Sequence, residues 1–242
     1  MTSESDLLQD LDPFDIFDAE AERLDRCFSS LGEMGWNRPT RCAGWSVRDV
    51  LAHLAGEELY NHACLTGDIE GFFRMLEREG IPVDDAYGWV DRFNDWCVRR
   101  RRGLPVEQVL REWREKNGET RRRMRELGRD TLIRTAAGPY PAGPQTFHYD
   151  SEYATHADDV GAPVSAEEAG FRLEWRVRFG LVALAERKSN AQVERDGDRI
   201  RGRVDGLTAE PSAADFVEAT VGRLPEGHPL DPRVRSALRC LA

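Results

Sequence analysis

The 242-residue chain is most informative first in what it lacks. No apolar run is long: Leu181 to Ala185 is among the longest, against the roughly 20 residues that a helix needs to cross a bilayer. The opening from Met1 to Asp10 is polar and acidic, without the basic and apolar parts of a signal peptide. Basic residues are in deficit, 34 Lys and Arg against 44 Asp and Glu, for a formal net charge of −10. With no basic stripe to offset phosphate repulsion, a nucleic-acid partner is not expected. Only Lys116 and Lys188 are lysines, a bias of coding sequence more than of function. The five cysteines, Cys27, Cys42, Cys64, Cys97 and Cys240, are odd in number and scattered, with no C-x-x-C. That argues against a disulfide frame or a cysteine-rich zinc site and fits reduced cytoplasmic thiols. There is no G-x-S-x-G, H-E-x-x-H or phosphate-cradling glycine loop, so triad hydrolases, zincin proteases and P-loop nucleotidases find no support. No internal repeat or low-complexity segment occurs.

What is present fits a packed domain facing water. Hydrophobic residues make up 40% and charged residues 32%, enough for a core and a polar surface. A chain of this length holds one large domain or a helical bundle with a small addition. The organising stretch runs from Cys42 to Gly56. Ser46 and Asp49 form an S-x-x-D helix start, the hydroxyl and the acid both suiting the electropositive first turn. Val47, Val50, Leu51 and Leu54 then repeat at helical spacing. His53 lies beside this stripe and is expected at the bundle interior or its edge. A lone histidine there is more often a hydrogen-bonded core residue.

About a hundred residues later, Glu152 and His156 stand at i, i+4. On a helix this puts a carboxylate and an imidazole on one face, one turn apart. Such pairs are also common on solvated helices. With His53 they make a two-histidine, one-carboxylate set, and three protein ligands leave a position open for water or substrate. His148, two turns (about 12 Å) before His156, is too far along to share the ion, and is assigned to substrate contact or support. Glu57, at i+4 from His53, is an alternative carboxylate ligand. Asp49, Asp158 and Asp159 are candidates to steady the imidazoles through their second nitrogens, though each reads first as a cap or a solvated acid. His62 is half a revolution out of phase with His53 and is expected near solvent. Cys42, just ahead of the motif helix, reads as a small buried hydrophobe, with a place near the metal as the alternative.

The Cys42 to Gly56 run, with Glu152-x-x-x-His156 downstream, resembles the mycothiol-dependent maleylpyruvate isomerase family of the DinB-like metalloenzyme superfamily, over roughly residues 10–165. The resemblance implies a mainly α fold, a DinB-like four-helix bundle followed by a small α+β C-terminal domain. It also implies a divalent metal, zinc in the first place, held by His53, Glu152 and His156, and a low-molecular-weight thiol, mycothiol or a relative, as cosubstrate. The family's enzymes add the thiol to maleylpyruvate, allow rotation about the new single bond, and expel it to leave fumarylpyruvate.

In chain order, helices are expected over Pro13 to Leu31, Val47 to about Thr66, Ala86 to Arg102, Pro105 to about Leu127 and Thr146 to Val160. Gly80 to Asp85 reads as a linker. Arg99 to Arg102 reads as a charge cluster at a helix C-terminus, and Gly138 to Pro144 as a turn-rich loop that could cover a site. The bundle domain is taken as residues 1–164 and the C-terminal domain as 165–242. The latter is expected to hold a helix over Ser165 to Arg187, with Phe171 and Trp175 on its apolar side. A hairpin around Asp196-Gly197-Asp198 and two short helices follow. Arg201 and Arg203 on that hairpin are candidates to meet an acidic substrate.

The expectation is therefore a cytoplasmic, metal-dependent isomerase or thiol S-transferase acting on a small acidic molecule, with no nucleic-acid or membrane partner, as monomer or homodimer. The alternatives are a thiol-independent metal-dependent lyase, hydrolase or biosynthetic cyclase, or a non-catalytic metal-binding stress protein.

Overall fold

The computed structural model describes residues 7–83, 88–197 and 199–241. Asp84, Asp85 and Ala86, at the expected junction of linker and helix, and Asp198 in the hairpin turn lie outside these. The described residues are mainly helical with two small antiparallel sheets, and they divide into two units, residues 13–162 and residues 7–12 with 163–241. None of their helices is long and apolar enough to cross a membrane.

The larger unit begins with α1 (Pro13–Ser29), with proline at its first position, where no N–H is needed. Its buried Ile16, Phe17, Ala21, Leu24 and Phe28 recur at helical spacing. After the short α2 (Glu33–Trp36) comes α3 (Val47–Thr66). The Asp49 carboxylate accepts from both the backbone N–H (3.0 Å) and the hydroxyl (2.8 Å) of Ser46, which locks the start of α3. The end is set by Gly67, in the left-handed region at φ 73°, which lets the next N–H return to Ala63.

A helix not anticipated from the sequence follows, α4 (Ile69–Arg78), capped by Asp68, whose carboxylate accepts from the Gly71 N–H at 3.0 Å. Next come α5 (Gly88–Arg101) and α6 (Val106–Leu127). The arginine run at the end of α5 is not all solvated. Arg101 is buried, donating to Glu112 and to the Cys97 carbonyl, and Arg102 pairs with Asp49 at 2.9 Å.

The stretch read as a turn-rich loop is structured. β1 (Leu132–Thr135) pairs antiparallel with β2 (Gly138–Pro141), and α7 (Ala142–Asp159) starts directly behind it. Pro144 falls in the first turn of α7, where amide hydrogens have no helical partner, so the proline is tolerated there. Gly143 donates to the Arg129 carbonyl at 2.8 Å, and a Cβ on it would lie 2.4 Å from Arg129 Cγ. The turn residues thus mark a strand and a tightly closed helix start in place of an irregular loop.

Helix α3 packs on α6 and α5, and α1 on α7, with α6 touching both α1 and α7. Phe17, Leu24, Phe28, Leu54, Trp113 and Tyr153 are fully or almost fully buried among them. Polar groups inside are tied across helices. Glu58 of α3 accepts from Thr120 (2.5 Å) and Asn117 (3.1 Å) of α6 and from the Tyr153 hydroxyl (3.1 Å) of α7, and Tyr153 accepts in turn from Trp113 Nε1 at 3.0 Å. Satisfied networks of this kind specify one packing of the helices.

In the smaller unit, α8 (Ala166–Glu186) opens on a reciprocal Ser165–Glu168 cap. The strands β3 (Gln192–Asp196), β4 (Arg199–Val204) and β5 (Leu207–Ala209) form an antiparallel sheet in that order, followed by α9 (Ala213–Thr220) and α10 (Pro232–Leu238). Ile200 and Val204 of β4 face a core with Val177, Phe216, Val234 and Leu238. Phe171, expected inside, is 55% exposed. Arg178 of α8 binds the Asp10 carboxylate, which is how residues 7–12 join this unit.

Candidate metal centre

His53 projects from a stretch of α3 that is buried on nearly every side, with Val50, Leu51, Leu54 and Ala55 all at or near zero exposure. From α7, Glu152 and His156 face it across the bundle. The Nε2 atoms of the two histidines, 2% and 4% exposed, converge on one carboxylate oxygen, Glu152 Oε1, at 2.9 Å from His53 and 3.1 Å from His156. The imidazole centroids are 4.8 Å apart, and the Trp45 ring lies 5.2 Å from one and 6.5 Å from the other. Trp45 thereby walls the site with an apolar face, which strengthens electrostatics inside.

The acid–base state follows from this crowding. Burial pushes the Glu152 carboxyl up, but the charge of His156 and hydrogen bonds from both imidazoles outweigh it and hold the group well below the usual carboxylate range. Burial pulls His156 down, yet the Glu152 charge and the contacts with Asp159, Cys42 and Glu152 hold it well above an ordinary histidine. Glu57 stands 3.6 Å from His53 Nε2. Burial, followed by the charges of Glu152 and Glu58, pushes its carboxyl well up.

The donor set fits a divalent cation. Each of His53, Glu152 and His156 offers one ligand atom, and these atoms lie within 4.8 Å of one another. Tetrahedral nitrogen and oxygen ligands at zinc bond lengths stand about 3.3 Å apart, close to the 2.9 and 3.1 Å separations from the carboxylate oxygen. Glu57 is not part of this mutually close trio.

Of the acids expected to steady the imidazoles, Asp159 does so: Oδ2 is 3.1 Å from His156 Nδ1, and the side chain is fully buried. Asp49 is committed to capping α3 and to Arg102. Cys42, read as a buried hydrophobe, is instead half-buried, its sulfur 3.0 Å from Asp159 Oδ2 and 3.7 Å from His156 Nδ1. No periodicity could have shown this, since Cys42 sits in the loop ahead of α3. The Arg41 N–H donates to the Asp159 carbonyl and holds that loop to the end of α7. His62 reaches the surface near Glu119. His148 is half-buried, its ring 6.0 Å from Tyr140. Arg201 and Arg203 belong to the smaller unit, on the exposed face of β4, paired with Glu210 (2.7 Å) and Glu194 (3.7 Å) respectively.

Known proteins agree with this architecture. The sequence profile of the mycothiol maleylpyruvate isomerase N-terminal domain matches residues 17–161. Two solved structures are similar in fold, one of a mycothiol-dependent maleylpyruvate isomerase and one of a histidine-to-alanine mutant of that enzyme. The first is 17% identical with a TM-score of 0.57 over 94% of each chain, and the mutant is 15% identical with a TM-score of 0.58 over 93% of each. No curated protein sequence matches the chain.

Proposed function

The chain belongs to the mycothiol maleylpyruvate isomerase N-terminal domain family, and from that premise we propose that it is a divalent-metal-dependent enzyme that activates a low-molecular-weight thiol for isomerisation or S-transfer on a small acidic substrate. The observation that carries the reading is the convergence of His53 and His156 on a single oxygen of Glu152. Two neutral imidazoles and one carboxylate suit zinc and leave a coordination position over. A cation held there stabilises the anion of a bound thiol near neutral pH.

The chain's own residues do the rest. Asp159 fixes the tautomer and ring angle of His156, so that Nε2 faces the open side. Trp45 excludes water from one flank. His148 is proposed as a substrate contact, and Arg201 and Arg203 as holders of substrate carboxylate. Each arginine already sits on a carboxylate here, so substrate would exchange one acid for another. The five free cysteines suit the reducing cytoplasm in which such a thiol works.

Glu57 favours a second reading. Its carboxylate stands 3.6 Å from His53 Nε2, and as a fourth ligand it would close the site and make the protein a metal-binding stress protein without catalysis. Metal analysis of purified wild type beside His53→Ala and Glu152→Ala tests the first step: about one equivalent in the wild type, and little in either variant. Equal content in all three overturns the proposal. Thermal-shift titration of the loaded wild type with mycothiol and other small thiols tests the second. Stabilisation by a thiol supports the open site, and none by any thiol supports closure by Glu57.

A further inference from the structure

We propose that Cys42, Asp159 and the Nδ1 edge of His156 form a second cation site, which takes a thiophilic divalent ion such as cadmium and which excludes an ion in the His53–Glu152–His156 site. The three donor atoms lie 3.0 Å (sulfur to Oδ2), 3.1 Å (Oδ2 to Nδ1) and 3.7 Å (sulfur to Nδ1) apart. A tetrahedral ion with a sulfur ligand at about 2.3 Å and nitrogen and oxygen ligands at about 2.0–2.1 Å would hold them about 3.3–3.6 Å apart. Bringing a thiol, an imidazole and a carboxylate to that spacing changes these separations by about 0.1–0.6 Å.

The cluster is built on constrained elements. Asp159 and His156 are buried on α7. The Cys42 N–H donates to Thr40 Oγ1, which itself donates to the Trp45 carbonyl, while Arg41 is tied to the Asp159 carbonyl. The loop is therefore shaped to present the sulfur at the end of α7, and its partial exposure leaves an ion a way in. Thiolate in the set selects soft cations over magnesium, calcium or manganese.

The exclusion comes from the imidazole. A neutral histidine carries one lone pair and one N–H. When an ion binds Nδ1, the Cys42 thiol and the Nδ1 position each give up a proton to solvent, and the proton left on the ring resides on Nε2, which can then no longer ligate an ion shared with His53 and Glu152. Each ion weakens the other by the same factor. This exclusion rests on the proposed metal centre, whereas the Cys42 site does not.

The test is titration of the metal-free full chain with cadmium, followed by the ultraviolet thiolate-to-cadmium charge-transfer band. One equivalent should raise the band in the wild type and in His53→Ala. Cys42→Ser, with its thermal midpoint checked against the wild type, should bind cadmium in this mode at least tenfold more weakly. An undiminished band in Cys42→Ser, or none in wild type and His53→Ala, overturns the site. Preloading with manganese, its content measured on the same sample, should suppress the band in the wild type and not in His53→Ala. Manganese bound with the wild-type band unchanged overturns the exclusion. If manganese does not bind, the exclusion falls, while the Cys42 site stands or falls on the His53→Ala band.

Discussion

Asp159 and His156, three residues apart on one helix, meet at 3.1 Å with the carboxylate fully buried. That contact places a negative charge directly behind a ring whose other nitrogen faces Glu152. Replacing Asp159 by Asn keeps the shape and an acceptor but removes the charge. Supports of this kind are worth about 10- to 100-fold in metal affinity. Asp159→Asn is therefore expected to bind zinc about tenfold more weakly, read by competition with a chromophoric chelator. An unchanged affinity would show that the contact only fills space.

Two helical glycines should respond in opposite directions to the same substitution. A Cβ on Gly56 would lie 2.3 Å from Cys97 Cβ and 2.4 Å from its sulfur, whereas one on Gly118 meets nothing within 4 Å. Gly56 is what lets α3 and α5 approach. Gly56→Ala should cost about 1–3 kcal/mol through overpacking. Gly118→Ala should be neutral or gain up to about 1 kcal/mol from helix propensity. Urea denaturation of the two variants checks both signs, and equal effects would refute the close approach.

Glu58 makes a pH prediction. Burial raises its carboxyl above the ordinary value, even though Thr120, Asn117 and Tyr153 hydrogen bonds pull the other way. A raised acid holds a proton in the folded state that the unfolded chain releases. Stability therefore falls as pH rises from the ordinary carboxylate value through the raised one, by at most about 1.4 kcal/mol per pH unit for this group. Glu58→Gln keeps most of the hydrogen-bonding shape and should flatten that decline, as measured by denaturation across pH. An identical slope in wild type and variant would mean that Glu58 is ionised in the folded state.

Glu112 holds the buried guanidinium of Arg101 through two hydrogen bonds, of 3.2 and 2.6 Å. Glu112→Ala leaves that cation with the Cys97 carbonyl and should destabilise the protein by about 1–3 kcal/mol. The exposed i, i+4 pair Arg122–Glu126 supplies the control: Glu126→Ala should cost no more than about 0.5 kcal/mol. Equal thermal shifts in the two variants would show that burial of Arg101 makes no difference.

The sequence alone determined what one or two turns of chain can encode. The Ser46–Asp49 start of α3, the apolar stripe through Leu54, the spacing of Glu152 and His156 and the amphipathic run from Ser165 to Arg187 are all local patterns, and each has a short-range physical cause. Hydrophobic periodicity likewise placed the long helices and the β3–β4 hairpin. Tertiary structure decided what depends on distance across the chain. It brought Cys42 to His156 over an interval of 114 residues, chose Asp159 to steady that ring, and turned the proline-rich stretch before α7 into a paired strand. It also tied Glu58 into a network with α6 while leaving Glu57 beside His53. Adjacent residues on a helix differ by about 100° in direction, and only packing against particular neighbours settles which of the two stands beside His53.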